Sequence, residues 1–179
     1  FPSWIFELAR REPEKLFHGF FPKNGKRRVF KILTLEEALA YLDMSTSVGI
    51  DFQAMGYKSR HELWNLETGF INSDLRQAVE RLFIAMKAGF SLKNVVSGCL
   101  KDETRDLERV LKGKTRLFCV GSLAHLIVTV MVMGDMVSFL KEFRALTDVA
   151  IGVNPHGREW TTFAERLKKF NRFGGGDFS

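Results

Sequence analysis

The segment from Ser122 to Phe143 constrains the fold most, because it is long and almost wholly apolar. A strand of that length would be exceptional, so a buried helix is expected despite the Val and Ile content. Its longest apolar run, Leu126 to Gly134, lies between His125 and Asp135 and falls far short of the roughly 20 residues that span a bilayer. No membrane helix is expected. Such a helix needs the rest of the chain to cover it, and 179 residues with 45% hydrophobic content suffice for one globular core. The chain starts at Phe1 with no legible leader, and both ends look cut from something longer.

Charge narrows the partners. The net charge of +6 and pI near 9.5 favour a polyanion, and nucleic acid is the commonest one for a basic domain. The two cysteines, Cys99 and Cys119, are too few to staple a chain of this size and read as plain buried thiols in a reducing compartment.

Along the chain, Trp4 to Phe17 reads as helix, and the basic stretch Pro22 to Lys31 as an exposed loop or hairpin. Thr34 and Glu37 have capping-box spacing at the start of a short helix to Leu42. The loop Ser45 to Gly49 follows, and another short helix is expected to begin within Ala54 to Arg60. Between Asp74 and Ala88, Leu75, Val79, Leu82, Phe83 and Met86 recur at spacings of three and four, which predicts a helix ended by Gly89. Val95-Val96 and Leu117 to Val120 read as two extended arms carrying a charged segment. Asn154-Pro155 marks a turn into a helix from about Gly157 to Lys169, and Phe170 to Phe178 reads as a strand.

That charged segment carries the chemistry. Lys101, Arg105, Arg109, Lys112, Lys114 and Arg116 are interleaved with Asp102, Glu103, Asp106 and Glu108. Spacing alone fits a salt-bridged surface helix with paired i and i+4 charges. Gly113 and Thr115 interrupt that pattern, however, and the acids stop at Glu108. The last three basic residues are thereby expected to lack local partners, a repulsive arrangement unless an anion joins them. Gly113-Lys114-Thr115 imitates the end of a phosphate-binding P-loop, but Glu108 stands where its first glycine belongs. The histidines at 18, 61, 125 and 156 are scattered without metal-ligand spacing, and no Gly-x-Ser-x-Gly elbow occurs.

Lys101-Asp102-Glu103-Thr104-Arg105, then Arg109, then Gly113-Lys114-Thr115-Arg116 resembles the nucleotide-entry segment of the RNA-dependent RNA polymerases of picorna-like positive-strand RNA viruses. Leu42 to Gly49 with Met55-Gly56 resembles the fingers segment that reads Ser-Thr-Ser-Ala-Gly in that family, with Val48 in place of alanine. Ile151 to Pro155 with Trp160 resembles the approach to the palm, and Asp177-Phe178-Ser179 its first metal-binding motif.

The resemblance implies an α+β fold of the right-hand polymerase type, with helix-rich fingers, a basic hairpin-like segment and truncation at the first palm strand. Residues 1–169 would be fingers and 170–179 the start of the palm. By the same resemblance, Lys101, Arg105, Arg109, Lys114 and Arg116 bind the incoming nucleoside triphosphate. Ser45, Thr46, Ser47 and Gly49 contact template RNA, and Asp177 is the catalytic ligand for Mg2+ or Mn2+. The second aspartate of that motif and a later Gly-Asp-Asp do not occur in these residues, and Gly134-Asp135 reads as structural, so the isolated piece is expected to be inactive. Implied partners are RNA template and primer, ribonucleoside triphosphates, and the remainder of the polymerase and viral polyprotein, without direct membrane insertion. The implied location is the host cell cytoplasm, at viral replication complexes. The competing reading is a non-enzymatic, basic RNA-binding module using the same surface.

Overall fold

The computed structural model describes residues 29–90, 92–144 and 152–171. The helix expected from Trp4 to Phe17, most of the basic loop after Pro22, and the strand expected up to Phe178 lie outside them. Where one globular unit was expected, the chain forms two compact units: Ile32–Asp135, and Phe1–Lys31 with Met136–Ser179.

In the Ile32–Asp135 unit, helix α1 (Leu35–Leu39) starts at the expected capping box. The Thr34 amide donates to Glu37 Oε2 at 2.8 Å, and the Glu37 amide to Thr34 Oγ1 at 3.2 Å. The helix closes at Leu39, earlier than Leu42. Helix α2 covers Gly49–Ala54, ahead of the Ala54 to Arg60 stretch where a short helix was expected to begin. It begins early because Phe52 enters the core at 0% exposure, and it ends because Gly56 adopts φ +97°. A 3-10 turn, Arg60–Glu62, leads into strands β1 (Trp64–Asn65) and β2 (Phe70–Ile71), a small hairpin with Trp64 opposite Ile71.

Helix α3 (Ser73–Lys87) follows the predicted pattern closely. The Asn72 side chain caps it by accepting from the Asp74 amide at 2.8 Å, and Gly89 at φ +84° ends it. Leu75, Val79 and Leu82 are buried and Phe83 packs against them, but Met86 is exposed.

Strands β3 (Ser97–Leu100) and β4 (Leu117–Val120) pair antiparallel, Leu100 opposite Leu117 and Ser97 opposite Val120. The first arm is therefore two residues later than Val95-Val96. Cys99 is half-buried and Cys119 exposed, correcting the expectation of buried thiols. The reason is architectural: β4 faces solvent along most of its length. Between the strands lies helix α4 (Leu107–Leu111), which buries nothing.

Helix α5 (Leu123–Glu142) is the helix expected of the apolar segment, but where a buried helix was expected only 33% of its most apolar stretch is buried. By length and composition it could cross a membrane, with mean hydropathy 1.9, so the apolar run understated it. Only part of that character is covered: Leu123, Ala124, Ile127, Val128 and Met131 join Leu39, Phe52, Leu63, Trp64, Leu75 and Val79 in one core, while Leu126, Val132 and Met133 are exposed. Each fully buried side chain of this size contributes about 1.5–3 kcal/mol. Gly134 is structural, as expected. A Cβ there would sit 2.6 Å from Leu33 Cδ1, and the Leu33 amide donates to the Met131 carbonyl at 2.8 Å, so the chain lies directly on the helix.

In the other unit, helix α6 (Arg158–Leu167) begins at Gly157 after the Asn154 turn, close to expectation. Arg144 Nε and Nη2 donate to the two Glu159 oxygens at 3.1 and 2.5 Å.

Candidate nucleotide and template site

The β3–β4 pairing continues for one further bond, from the Lys101 amide to the Arg116 carbonyl at 2.8 Å. This bond brings together residues that the sequence separates, and Glu103 stands at their centre. Its Oε1 accepts from Arg105 Nε at 2.8 Å, Arg105 Nη2 at 2.6 Å and Arg116 Nε at 2.8 Å, while its Oε2 accepts from Arg116 Nη2. Lys101 Nζ lies 3.8 Å away. The Arg116 hydrogen bond, with those of Arg105 and the charges of both guanidiniums, holds the Glu103 carboxyl down at about 2 against a desolvation push upward. In return the carboxylate raises Arg116 further above its ordinary value.

Lys112 pairs with Glu108 one turn away on α4. The expectation that Lys112 and Arg116 lack local partners is thus overturned, because the hairpin returns Arg116 to a carboxylate that sequence distance had hidden. Arg109 and Lys114 have no ion-pair partner among the described residues. Glu103, Thr104, Arg105, Asp106, Arg109 and Arg116 line an open cavity of about 390 Å³. Lys114 stands outside it. Its amide donates to the Arg109 carbonyl at 3.0 Å across the turn that Gly113 makes at φ +64°. The segment then enters β4, not the helix a P-loop would require.

The hydroxyl loop before α2 is folded around Asp43 and Arg60. Asp43 Oδ1 accepts from the Ser45 amide at 2.8 Å and Ser45 Oγ at 2.7 Å, bonds that lower the Asp43 pKa. Thr46 Oγ1 donates to the Asp43 carbonyl at 2.9 Å. Arg60 is 6% exposed and donates from Nε to the Ser47 carbonyl at 2.9 Å and from Nη1 to the Asp43 carbonyl at 2.7 Å. Burial lowers its pKa, with the Asp43 charge opposing. Ser47 Oγ accepts from the Gly49 amide at 3.2 Å and from Gln53 Nε2 at 3.1 Å.

Gly49 sits where only glycine fits. It has φ +80°, and a Cβ would lie 2.7 Å from the Leu123 amide nitrogen at the start of α5. Asp51 fastens the same junction, accepting from Ser122 Oγ at 2.6 Å and from the Leu123 and Ala124 amides at 3.0 and 3.2 Å.

A cleft of about 520 Å³ runs between the hydroxyl loop and the β4–α5 junction. Thr46, Ser47 and Gly49 line it, but Ser45 does not. His125 also lines it, and its buried Nδ1 has no hydrogen-bond partner, a state that costs about 1–3 kcal/mol. Among the described residues no other buried side-chain nitrogen or oxygen is left so.

The structure thus gathers Lys101, Arg105, Arg109 and Arg116 around one hairpin end and places Ser47 and Gly49 beside the other end of β4. Asp177 lies outside the described residues. Sequence reasoning missed Glu103, Asp51, Arg60 and His125 as parts of the site. The signal for Glu103 lay in the Lys101 to Arg105 motif itself, but the other three carry none before the chain is folded.

The family described as viral RNA-dependent RNA polymerase matches over residues 12–179. The genome polyprotein of Human parechovirus 2 is 30% identical over 131 residues, covering 73% of this chain and 6% of that polyprotein. The replicase polyprotein of Acute bee paralysis virus is 27% identical over 98% of this chain and 10% of its own length. The genome polyprotein of Encephalomyocarditis virus is 28% identical over 98% of this chain and 8% of its own length. The chain therefore spans about a tenth or less of these curated relatives. With the Lys101 to Arg116 spacing and the hydroxyl loop both standing in a folded site, the chain belongs to the viral RNA-dependent RNA polymerase family, among those of picorna-like viruses.

Proposed function

We propose that this chain forms the fingers and the first palm residues of a right-hand RNA-directed RNA polymerase, fingers over residues 1–169 and palm from 170. The polymerase adds ribonucleoside monophosphates to an RNA 3′ end on an RNA template. The 3′ hydroxyl attacks the α-phosphorus of the triphosphate, a new phosphodiester forms, and pyrophosphate leaves. Because the chain spans about a tenth or less of its relatives, we assign the reaction to the longer polypeptide and expect none from these 179 residues alone.

The observation that carries this reading is the pair of arginine forks fixed on Glu103 beside an open basic cavity. A guanidinium has five N–H donors, and Arg116 spends two on Glu103, leaving three for phosphate oxygens. Glu103 thereby fixes the orientation of Arg105 and Arg116 before a ligand arrives, which lowers the ordering cost of binding. Arg109 adds a charge unspent on any described carboxylate, with Lys101 and Lys114 nearby. Asp177 would hold the divalent ion, Mg2+ or Mn2+, which when bound activates the attacking hydroxyl and stabilises the leaving pyrophosphate. Ser45, Thr46, Ser47 and Gly49 face the template in this reading. Template, primer, triphosphates and the remaining polyprotein are the partners, and the host cytoplasm, at replication complexes, is the setting. Membership in a polymerase family disfavours a purely non-enzymatic RNA-binding role.

Single-nucleotide incorporation by the longer polymerase tests the assignment. Charge-assisted bonds to phosphate are worth about 1.5–3 kcal/mol each, so Arg116→Lys should lower kcat/KM by roughly one to two orders of magnitude. Lys26→Ala should change it little. Equal losses would reduce the site to bulk charge and sink the assignment.

A further inference from the structure

We propose that Asp51 is a positioning residue for the triphosphate site: it fixes the root of the β3–β4 hairpin, and with it the place of Arg105 and Arg116. The proposal rests on the reading that this hairpin binds the incoming triphosphate, and adds the residue that sets where its arginines stand.

The hairpin has little else to hold it. From residue 92 to residue 122 nothing is buried, and burial resumes only at Leu123 and Ala124, at 2% and 6% exposure. A segment with no side chain in the core takes its orientation from its ends. On the entering side Asn94 Oδ1 accepts from the Ser122 amide at a long 3.4 Å, which ties the two arms to each other. On the leaving side Asp51 takes the stronger bonds, from Ser122 Oγ at 2.6 Å and from the Leu123 and Ala124 amides at 3.0 and 3.2 Å. Asp51 stands on α2 beside Phe52, which lies in the core at 0% exposure, so this clasp is what joins the hairpin to packed structure.

Length makes the root matter. Six residues lead from Arg116 to Ser122, about 20 Å at the rise of an extended chain. β4 pairs with β3 along its whole length, and the bond from the Lys101 amide to the Arg116 carbonyl extends the pairing, so the hairpin moves as one piece. A tilt of about 3° at the root would carry Arg116 by about 1 Å. A misplacement of that size, even from a substitution remote from the chemistry, can cost about a hundredfold. Glu103 travels with the hairpin and sets the two arginine forks relative to each other, whereas Asp51 sets them relative to the core. The hydroxyl loop on the near side of the clasp keeps ties of its own, because Arg60 holds the Ser47 and Asp43 carbonyls at 2.9 and 2.7 Å. Loss of the Asp51 carboxylate should therefore disturb the triphosphate site more than the template loop.

The test is steady-state single-nucleotide incorporation by the longer polymerase, run below the melting temperature of every variant. Asp51→Ala should raise the triphosphate KM about tenfold or more with a smaller change in kcat, and template affinity, read by fluorescence anisotropy, should stay within about twofold. Ser122→Ala removes one of the three bonds and should shift KM the same way by a smaller factor, which keeps the proposal testable if Asp51→Ala does not fold. Asp51→Asn keeps one acceptor oxygen and should fall between Asp51 and Asp51→Ala. Gly69→Ala, a strained substitution in the β1–β2 turn outside both sites, should leave KM unaltered. An unchanged KM in Asp51→Ala and Ser122→Ala, or an equal rise in Gly69→Ala, would reduce Asp51 to a helix cap and overturn the proposal. Failure of the nucleotide reading looks different: Arg116→Lys would then leave the triphosphate kinetics unchanged, and the positioning role would fall with it.

Discussion

Replacing Gly49 by alanine tests whether the hydroxyl loop is held by its packing on α5. Two costs add. At φ +80° an L-residue sits in the left-handed region at roughly 1–2 kcal/mol. The new Cβ would also meet the Leu123 amide nitrogen at 2.7 Å, Asp51 Oδ1 at 2.8 Å and Leu123 Cβ at 3.1 Å, all parts of one clasp. Forcing extra volume into such a contact costs about 1–3 kcal/mol, and the two together about 2–5 kcal/mol. Gly69→Ala is the internal control, since Gly69 has φ +72° but nothing within 4 Å of the new Cβ. It should cost only the backbone term, about 1–2 kcal/mol. Urea denaturation followed by circular dichroism gives both values from the shift in midpoint at unchanged slope. If Gly49→Ala costs no more than Gly69→Ala, the close approach to α5 does not constrain the loop, and the reasoning fails.

Acid should loosen the basic hairpin. Glu103 has a folded-state pKa depressed from 4.5 to about 2, so its stabilisation is present above about 4.5 and is lost as pH falls towards about 2. Amide protection along β3 and β4, followed by NMR hydrogen exchange across that window, should fall in the unsubstituted chain, and Glu103→Gln should remove most of the pH dependence. Flat protection in the unsubstituted chain would refute the carboxylate's role. Asp51→Ala removes the acceptor of three donors at the start of α5 and should cost about 0.5–2 kcal/mol in the same urea assay. An unchanged midpoint would show that Ser122 and the α5 amides find other partners without loss.

What the sequence made legible was local. Thr34 and Glu37 act on each other across one turn, and Leu75, Val79 and Leu82 share a helical face, so spacing alone finds both. The α5 helix was readable because its length leaves no other structure, although counting an uninterrupted run missed how far its apolar character extends, and its burial is only partial. What spacing could not show depends on chain reversal. Arg116 looks unpartnered until β4 folds back on β3 and returns it to Glu103. Arg60 looks like a surface charge until Ser47 and Asp43 turn their carbonyls inward to meet it. The early start of α2 likewise follows from Phe52 and Gly49 docking into a core whose other half is far along the chain. At the candidate site the motif residues were found by pattern, while the groups that hold them required tertiary contact.

The Asp51 clasp also has a consequence for how the chain reaches this structure. Its three hydrogen bonds join residues 71, 72 and 73 positions apart, and α5 supplies much of the core that α1, α2 and α3 face. During synthesis, everything up to the basic hairpin emerges before the helix that completes its hydrophobic partner, leaving Phe52, Leu75 and Val79 without their cover. At about 5–20 residues per second, the wait across a separation of this size lasts several seconds, long compared with collapse or helix formation. Closing so long a loop adds only slowly to the entropic cost as length grows, so the delay reflects the order of appearance and not a thermodynamic barrier. The early-emerging half of this unit is thus the part most exposed to misassociation on the ribosome, and the arrival of Leu123 ends that exposure.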